Sequence, residues 1–69
     1  MYIDSHKVRI FLAERGMSQA ELAERCGIAR QNVSAILARG RCTPRSIGKI
    51  AVALNVSVSA IVKEEGDNG

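Results

Sequence analysis

Large aromatic residues are almost missing from this chain: it has no tryptophan, one tyrosine, Tyr2, and one phenylalanine, Phe11. The core must therefore be built from aliphatic side chains, which suits helices that approach one another closely. Long apolar runs are missing too. The longest runs from Ile50 to Leu54, whereas a membrane-spanning helix needs about 20 apolar residues. The start, Met1 to Lys7, lacks the basic stretch and apolar run of a secretory signal. We therefore expect a soluble, cytoplasmic protein with no membrane association. The two cysteines, Cys26 and Cys42, have no second cysteine pair or paired histidine to complete a zinc site. Free thiols are expected, with no metal and no cofactor. His6 is the single histidine and reads as a solvated residue near a helix start. There is no paired-carboxylate cleft, no metal-ligand set, no nucleophile with a base and no glycine-rich phosphate loop, so nothing points to an enzyme.

Acidic residues are absent from one long stretch. Between Arg25 and Lys63 the chain carries Arg30, Arg39, Arg41, Arg45 and Lys49 and no Asp or Glu. The acids lie before this block (Asp4, Glu14, Glu21, Glu24) or after it (Glu64, Glu65, Asp67). The net charge is only +3, but a segregated basic segment suits a polyanion, because its summed potential attracts phosphate and displaces counterions. Taken alone, a solvated basic face would explain the same pattern.

What is present reads as helices. The chain has 69 residues, enough for one domain; at this size about 60% of the unfolded surface is buried, so the core must be continuous. Val8, Phe11 and Leu12 share a face of a first helix, roughly Ser5 to Arg15, with Asp4 or Ser5 as its cap. Ser18-Gln19-Ala20-Glu21 is a capping box that starts a second helix near Gln19. That helix buries Leu22, Ala23 and Cys26 and stops at Gly27, where a positive φ costs least. A third helix follows Ala29, with Val33, Ile36 and Leu37 on its apolar face. Thr43 caps a fourth helix and Pro44 occupies its first turn; its core face is Ile47, Ile50, Ala51 and Leu54. Gly48 within it predicts either close packing or simple tolerance. Ser57 is read as the cap of a fifth short helix, Val58 to about Lys63. Val56, Val58, Ile61 and Val62 exceed what a short terminal helix needs, so some close the core and the rest are available to a dimer contact.

Two helices joined only by Gly27-Ile28-Ala29 describe a helix-turn-helix. Within Gln19 to Ala38, Ala23 gives a small residue where the helices meet, Gly27 makes the sharp turn, and Val33 and Ile36 wedge the second helix against the first. Gln19-Ala20-Glu21-Leu22-Ala23, Gly27-Ile28, Val33-Ser34-Ala35-Ile36 and Leu54-Asn55-Val56-Ser57-Val58 resemble the Cro and phage-repressor family of helix-turn-helix proteins. The likeness runs from about Val8 to Val62 without an insertion. It implies an all-α, compact five-helix, lambda repressor-like DNA-binding domain over residues 1–63, whose third helix enters the major groove, commonly as a dimer on a two-fold symmetric operator. Residues 64–69 are expected to be a polar, frayed tail.

The resemblance makes Gln19 a phosphate contact and places Arg30, Gln31, Ser34 and Ala35 where helix three reads bases. Arg41, Thr43 and Arg45 match the loop that lies along the DNA backbone, Arg45 at a position that can also approach the minor groove, and we add Ser18, Asn32 and Arg39 to the backbone set. Gln31 suits adenine, and Arg30 suits guanine or a phosphate. The basics also carry a physical argument of their own. Arg30 and Arg45 each stand in the first turn of a helix, where a cation opposes the macrodipole at about 0.3–1 kcal/mol, so an anionic partner explains them better than stability does. Two departures from the family stand out. Many relatives pair an Arg on helix one with a Glu on helix three, but the matching positions here are Leu12 and Leu37, for which we expect an apolar contact. The usual Ser or Thr before helix three is Ala29, a weak cap. Cys42, between Arg41 and Arg45, is the candidate reactive thiol, because neighbouring cations favour the thiolate.

The expected function is sequence-specific binding of double-stranded DNA as a small transcriptional regulator, a repressor or Cro-like switch. Its partner would be a palindromic operator, bound as a homodimer, with no small-molecule ligand. The alternative is an antitoxin or accessory module that keeps the fold but binds another protein.

Overall fold

Each helix start bears out its capping signal in the computed structural model, which describes residues 1–63. Helix α1 (Ser5–Glu14) is capped by the Asp4 carboxylate, which accepts from the Lys7 backbone N–H. Helix α2 (Gln19–Cys26) opens with the full reciprocal box: Glu21 N–H donates to Ser18 Oγ, and Ser18 N–H donates to the Glu21 carboxylate. Helix α3 (Arg30–Arg39) has no side-chain cap at Ala29. Helix α4 (Pro44–Leu54) is capped by Thr43 Oγ1, which accepts from Ser46 N–H.

Gly27 adopts a φ of +70° and turns the chain between α2 and α3. Gly40, with a φ of +74°, ends α3 in the same way. At the end of α4 this conformation falls to Asn55, whose short polar side chain tolerates it.

Among the described residues the fold has four α-helices. The expected fifth helix over Val58 to Lys63 is instead a single 3-10 turn, Val58–Ala60, followed by the short strand β2 (Val62–Lys63). That strand pairs antiparallel with β1 (Tyr2–Ile3), in the register Tyr2 with Lys63 and Ile3 with Val62. Asp4 N–H extends the contact by donating to the Ile61 carbonyl at 2.7 Å. The physical reason is local. Six residues rich in β-branched side chains make fewer than two helical turns, below the length at which a helix sustains itself, and β1 offers them backbone partners. Ser57 accordingly makes no cap; its hydroxyl bonds to that of Ser59. The polar tail expected over 64–69 lies outside the described residues.

The core joins Val8 and Leu12 of α1, Leu22, Ala23 and Cys26 of α2, Val33 and Leu37 of α3, and Ile47, Ile50, Ala51 and Leu54 of α4, closed by Ile3 and Ile61. Leu12 and Leu37 thus fall in one apolar cluster where the resembling family places ions. Ser5 Oγ reinforces this junction by donating to the Leu37 carbonyl at 2.6 Å. Two expected core residues are displaced. Phe11 and Ile36 are only partly buried and pack against the cluster, because their neighbours Leu12 and Leu37 turn inward. Val56, Val58 and Val62 also pack against the core, so they help to close it.

Ala23 is 4% exposed in α2, the helix packed against both α3 and α4. Gly48 is the opposite case, since a Cβ there would meet nothing within 4 Å. Ala23→Leu is therefore expected to lose about 1–3 kcal/mol through overpacking, whereas Gly48→Ala should gain up to about 1 kcal/mol of helix propensity. Urea unfolding of both variants checks the contrast. Unchanged stability in Ala23→Leu would show that the helices do not cross closely there.

Candidate nucleic-acid interface

The surface around α3 follows from which of its faces is buried. With Val33 and Leu37 turned inward, Arg30, Gln31, Asn32 and Ser34 are exposed and Ala35 is partly buried. Arg30 and Gln31 lie in the first helical turn. The first backbone bonds of α3 run from Asn32 and Val33 to the Ala29 carbonyl, so the N–H groups of Arg30 and Gln31 have no intrahelical acceptor. The positive end of the helix macrodipole and the Arg30 guanidinium thus stand together at the surface.

Ser34 Oγ donates to Gln19 Oε1 at 3.2 Å and ties the middle of α3 to the start of α2. With its carbonyl engaged, the Gln19 amide still holds two donor protons. Ser18 lies one residue earlier, its hydroxyl accepting in the capping box while its own proton stays available.

The segment after α3 gathers a second group. Asn32, Ala35 and Arg39 of α3 meet Arg41, Thr43 and Ser46 around a shallow groove of about 280 Å³, floored by Ile28, Ile36 and Cys42. The Thr43 hydroxyl is already occupied, accepting from Ser46 N–H and donating to Ser46 Oγ. Arg45 does not join this groove. It lines another, of about 430 Å³, with Arg25, Lys49, Cys26, Gly48 and Val52 between α2 and α4. Arg25 and Lys49 were legible only as members of the basic block; nothing in their local spacing pairs them with Arg45.

The electrostatics are one-sided. Among the described residues the only ion pair is Arg15 with Glu14, at 3.6 Å, and Arg25, Arg30, Arg39, Arg41 and Arg45 find no carboxylate partner among them. Arg41 instead lies over the Tyr2 ring, 5.6 Å from its centroid. Tyr2 is a residue that the sequence reading passed over, since nothing local signals that it reaches a loop 39 positions away.

Both cysteines are free, and the described residues hold no group of side chains able to bind a metal. No helix among them is long and apolar enough to cross a membrane. The expectation of an activated Cys42 is reversed. Burial pushes its thiol up, only partly offset by the positive chain terminus, which lies near because Cys42 N–H donates to the Met1 carbonyl. The guanidiniums expected to lower it are turned elsewhere, Arg41 over Tyr2 and Arg45 into the other groove. Cys26 is likewise raised by burial, against a smaller opposing effect of Lys49.

Two packed helices with a small buried alanine in the first, joined by a glycine turn and followed by a basic loop, define a helix-turn-helix domain. The chain belongs to the helix-turn-helix family of the Cro and phage-repressor type, DNA-binding regulators of transcription; the family model matches residues 8–61. It is similar to a hypothetical transcription factor, NHTF, from Neisseria, at 31% identity over 93% of this chain and 75% of that one, with a TM-score of 0.78. It is also similar to the N-terminal DNA-binding domain of the master biofilm regulator SinR from Bacillus subtilis, at 26% identity over 88% of this chain and 91% of that one (TM-score 0.71). A third similar structure is the complex of SinR with SinI, at 26% identity over 96% of this chain and 66% of that one (TM-score 0.75). Among curated protein sequences no relative is detected.

A raised thiol pKa leaves less thiolate at neutral pH, so Cys42 should react with a disulfide reagent more slowly than an unfolded-peptide cysteine at pH 7.5. Its rate should climb only at higher pH. Stopped-flow labelling of Cys26→Ala across pH tests this; a rate already on its plateau at pH 7 would overturn the assignment.

Proposed function

We propose that this protein binds double-stranded DNA sequence-specifically, reads the major groove with α3, and acts as a repressor or Cro-like switch. The observation that carries the reading is the exposed, uncapped first turn of α3, where Arg30 and Gln31 project beside unpartnered backbone donors. In this reading Arg30, Gln31, Ser34 and Ala35 face base edges. Ser18, Gln19, Asn32, Arg39, Arg41, Thr43 and Arg45 hold the backbone, and phosphates supply the negative charge that complements the arginines. The Gln19–Ser34 bond supports a shared role, since it fixes a backbone-holding amide against a base-facing helix. Thr43, already bonded to Ser46, contributes through its place in the loop more than through its hydroxyl.

A second reading has one observation in its favour, because a similar structure is that of SinR bound to SinI. In that reading the chain is an antitoxin or accessory module that mainly binds a protein. Strongly salt-dependent binding to a duplex favours DNA; weak association with no sequence preference favours the module.

The assignment of readers and holders is testable by contrast. Gln31→Ala is expected to cost about 1–3 kcal/mol on a site selected from a random duplex pool and to relax preference at one base pair, with the salt slope unchanged. Arg45→Ala should weaken most sequences alike and flatten the slope by about one unit. If Gln31→Ala keeps the full base-preference profile while Arg45→Ala alters it, α3 is not the reader.

A symmetric dimer would set two α3 helices about 34 Å apart, on half-sites roughly 10 base pairs apart. The selected sequences should then be palindromic, and inserting half a helical turn between half-sites should abolish cooperative binding. Equal affinity for the altered site would instead indicate a monomer or a flexible linkage between the two halves.

A further inference from the structure

We infer that the amino-terminal strand is part of the DNA-binding apparatus, with Tyr2 as the positioning residue that aims Arg41 at the DNA backbone. The inference rests on the proposed DNA reading and adds to it a residue outside the helix-turn-helix.

The geometry is that of a small three-membered sheet. Strand β1 pairs with β2 along one edge. Along its other edge, Ile3 N–H donates to the Gly40 carbonyl and Cys42 N–H to the Met1 carbonyl, both at 3.0 Å. These two bonds flank an antiparallel bridge between Tyr2 and Arg41. Because neither residue of the pair bonds the other's backbone, Tyr2 and Arg41 form the closer kind of cross-strand pair, with side chains on one face of the sheet. The contact seen is the one this register predicts, with the Arg41 guanidinium over the Tyr2 ring at 5.6 Å. A ring face holds a cation by its quadrupole and leaves the guanidinium edge free to donate to an anion.

The loop needs such a device. Gly40 ends α3 with a left-handed backbone, and the helix beginning at Pro44 starts only a few residues later. The Arg41 backbone lies between these two ends with no helical bonds of its own. Without β1, nothing among the described residues fixes the direction of its long side chain. With β1 in place, Arg41 is held at the rim of the groove that also carries Asn32, Arg39 and Thr43, at a smaller cost in side-chain entropy when a phosphate arrives.

The test is a double-mutant cycle read by equilibrium binding of the full chain to a random-sequence duplex over a range of salt concentrations. Tyr2→Met keeps apolar bulk and removes the ring; it is expected to weaken binding by about threefold. Arg41→Ala should weaken it at least as much, with a slope shallower by about one unit, and the double variant should bind like Arg41→Ala alone. Tyr2→Phe and Tyr2→Trp keep a ring face and should restore the wild-type affinity and slope. Thermal melting of each variant separates this from simple loss of fold, which would lower the midpoint without coupling Tyr2 to Arg41. Additive losses in the double variant, or unchanged binding in Tyr2→Met, would overturn the inference. If Tyr2→Met melts too low to assay, a loss in Tyr2→Phe equal to that of Arg41→Ala would overturn it as well. A wild-type chain that shows no salt-dependent binding would instead sink the DNA reading beneath it.

Discussion

The closeness with which α2 crosses its neighbours is the constraint on which the rest of the structure depends. Ala23 is buried at the centre of α2, between helices that supply only aliphatic side chains to a core with no fully buried ring. A small residue at this point lets the backbones approach, and aliphatic neighbours fill the remaining space at the density of a protein interior. The turn at Gly27 fits this arrangement because it is short and left-handed, leaving α3 no slack to drift from α2. The direction of α3, and so the set of side chains that it exposes, follows from the packing of Val33 and Leu37 into the same cluster.

Helix ends were legible in the sequence because a cap is a local matter: Ser18 with Glu21, Thr43 with Pro44, and Gly27 all announce themselves within four residues. The fifth helix failed for the converse reason. Val58, Ile61 and Val62 carry an apolar pattern compatible with a helical face, but what decides their conformation is Tyr2–Ile3, some sixty residues away. No window of local periodicity contains both. The same limit explains Phe11 and Ile36. Each has an apolar neighbour, Leu12 or Leu37, and periodicity alone does not say which of the two turns inward when a helix is rotated by part of a turn.

The candidate interface divides along the same line. Residues assigned from α2 and α3 fall into two groups, Gln19 bonded to Ser34, and Asn32, Ala35 and Arg39 around one groove that the loop residues Arg41 and Thr43 also line. Their spacing on rigid helices made that grouping readable. Arg45 parts from them because neighbouring residues of a helix point about 100° apart: Ser46 faces the first groove, while Arg45 faces the α2 side, beside Arg25 and Lys49. Cys42 was misread for a related reason. Adjacency in sequence to two arginines says nothing about where long guanidinium arms point, and burial governs a thiol that they do not face.

The unequal treatment of helix starts bears on function. At α2 a serine cap and a first-turn glutamate both favour the helix. At α3 both rules are broken at one end: Ala29 forgoes a side-chain cap that is worth about 1 kcal/mol, and Arg30 sets a cation against the macrodipole at about 0.3–1 kcal/mol. Packing of Val33 and Leu37 and the Gln19–Ser34 bond hold α3 in place despite these losses. A negatively charged partner arriving at this end would remove both deficits at once, accepting from the unpartnered N–H groups and neutralising the guanidinium. The helix start least suited to the isolated domain is thus the one best suited to a polyanion, and local rules tend to be broken at functional sites. The same reasoning separates the two first-turn arginines. Arg45 follows a working Thr43 cap, so its helix start lacks only a complement to its charge, whereas the start of α3 lacks both that and a cap.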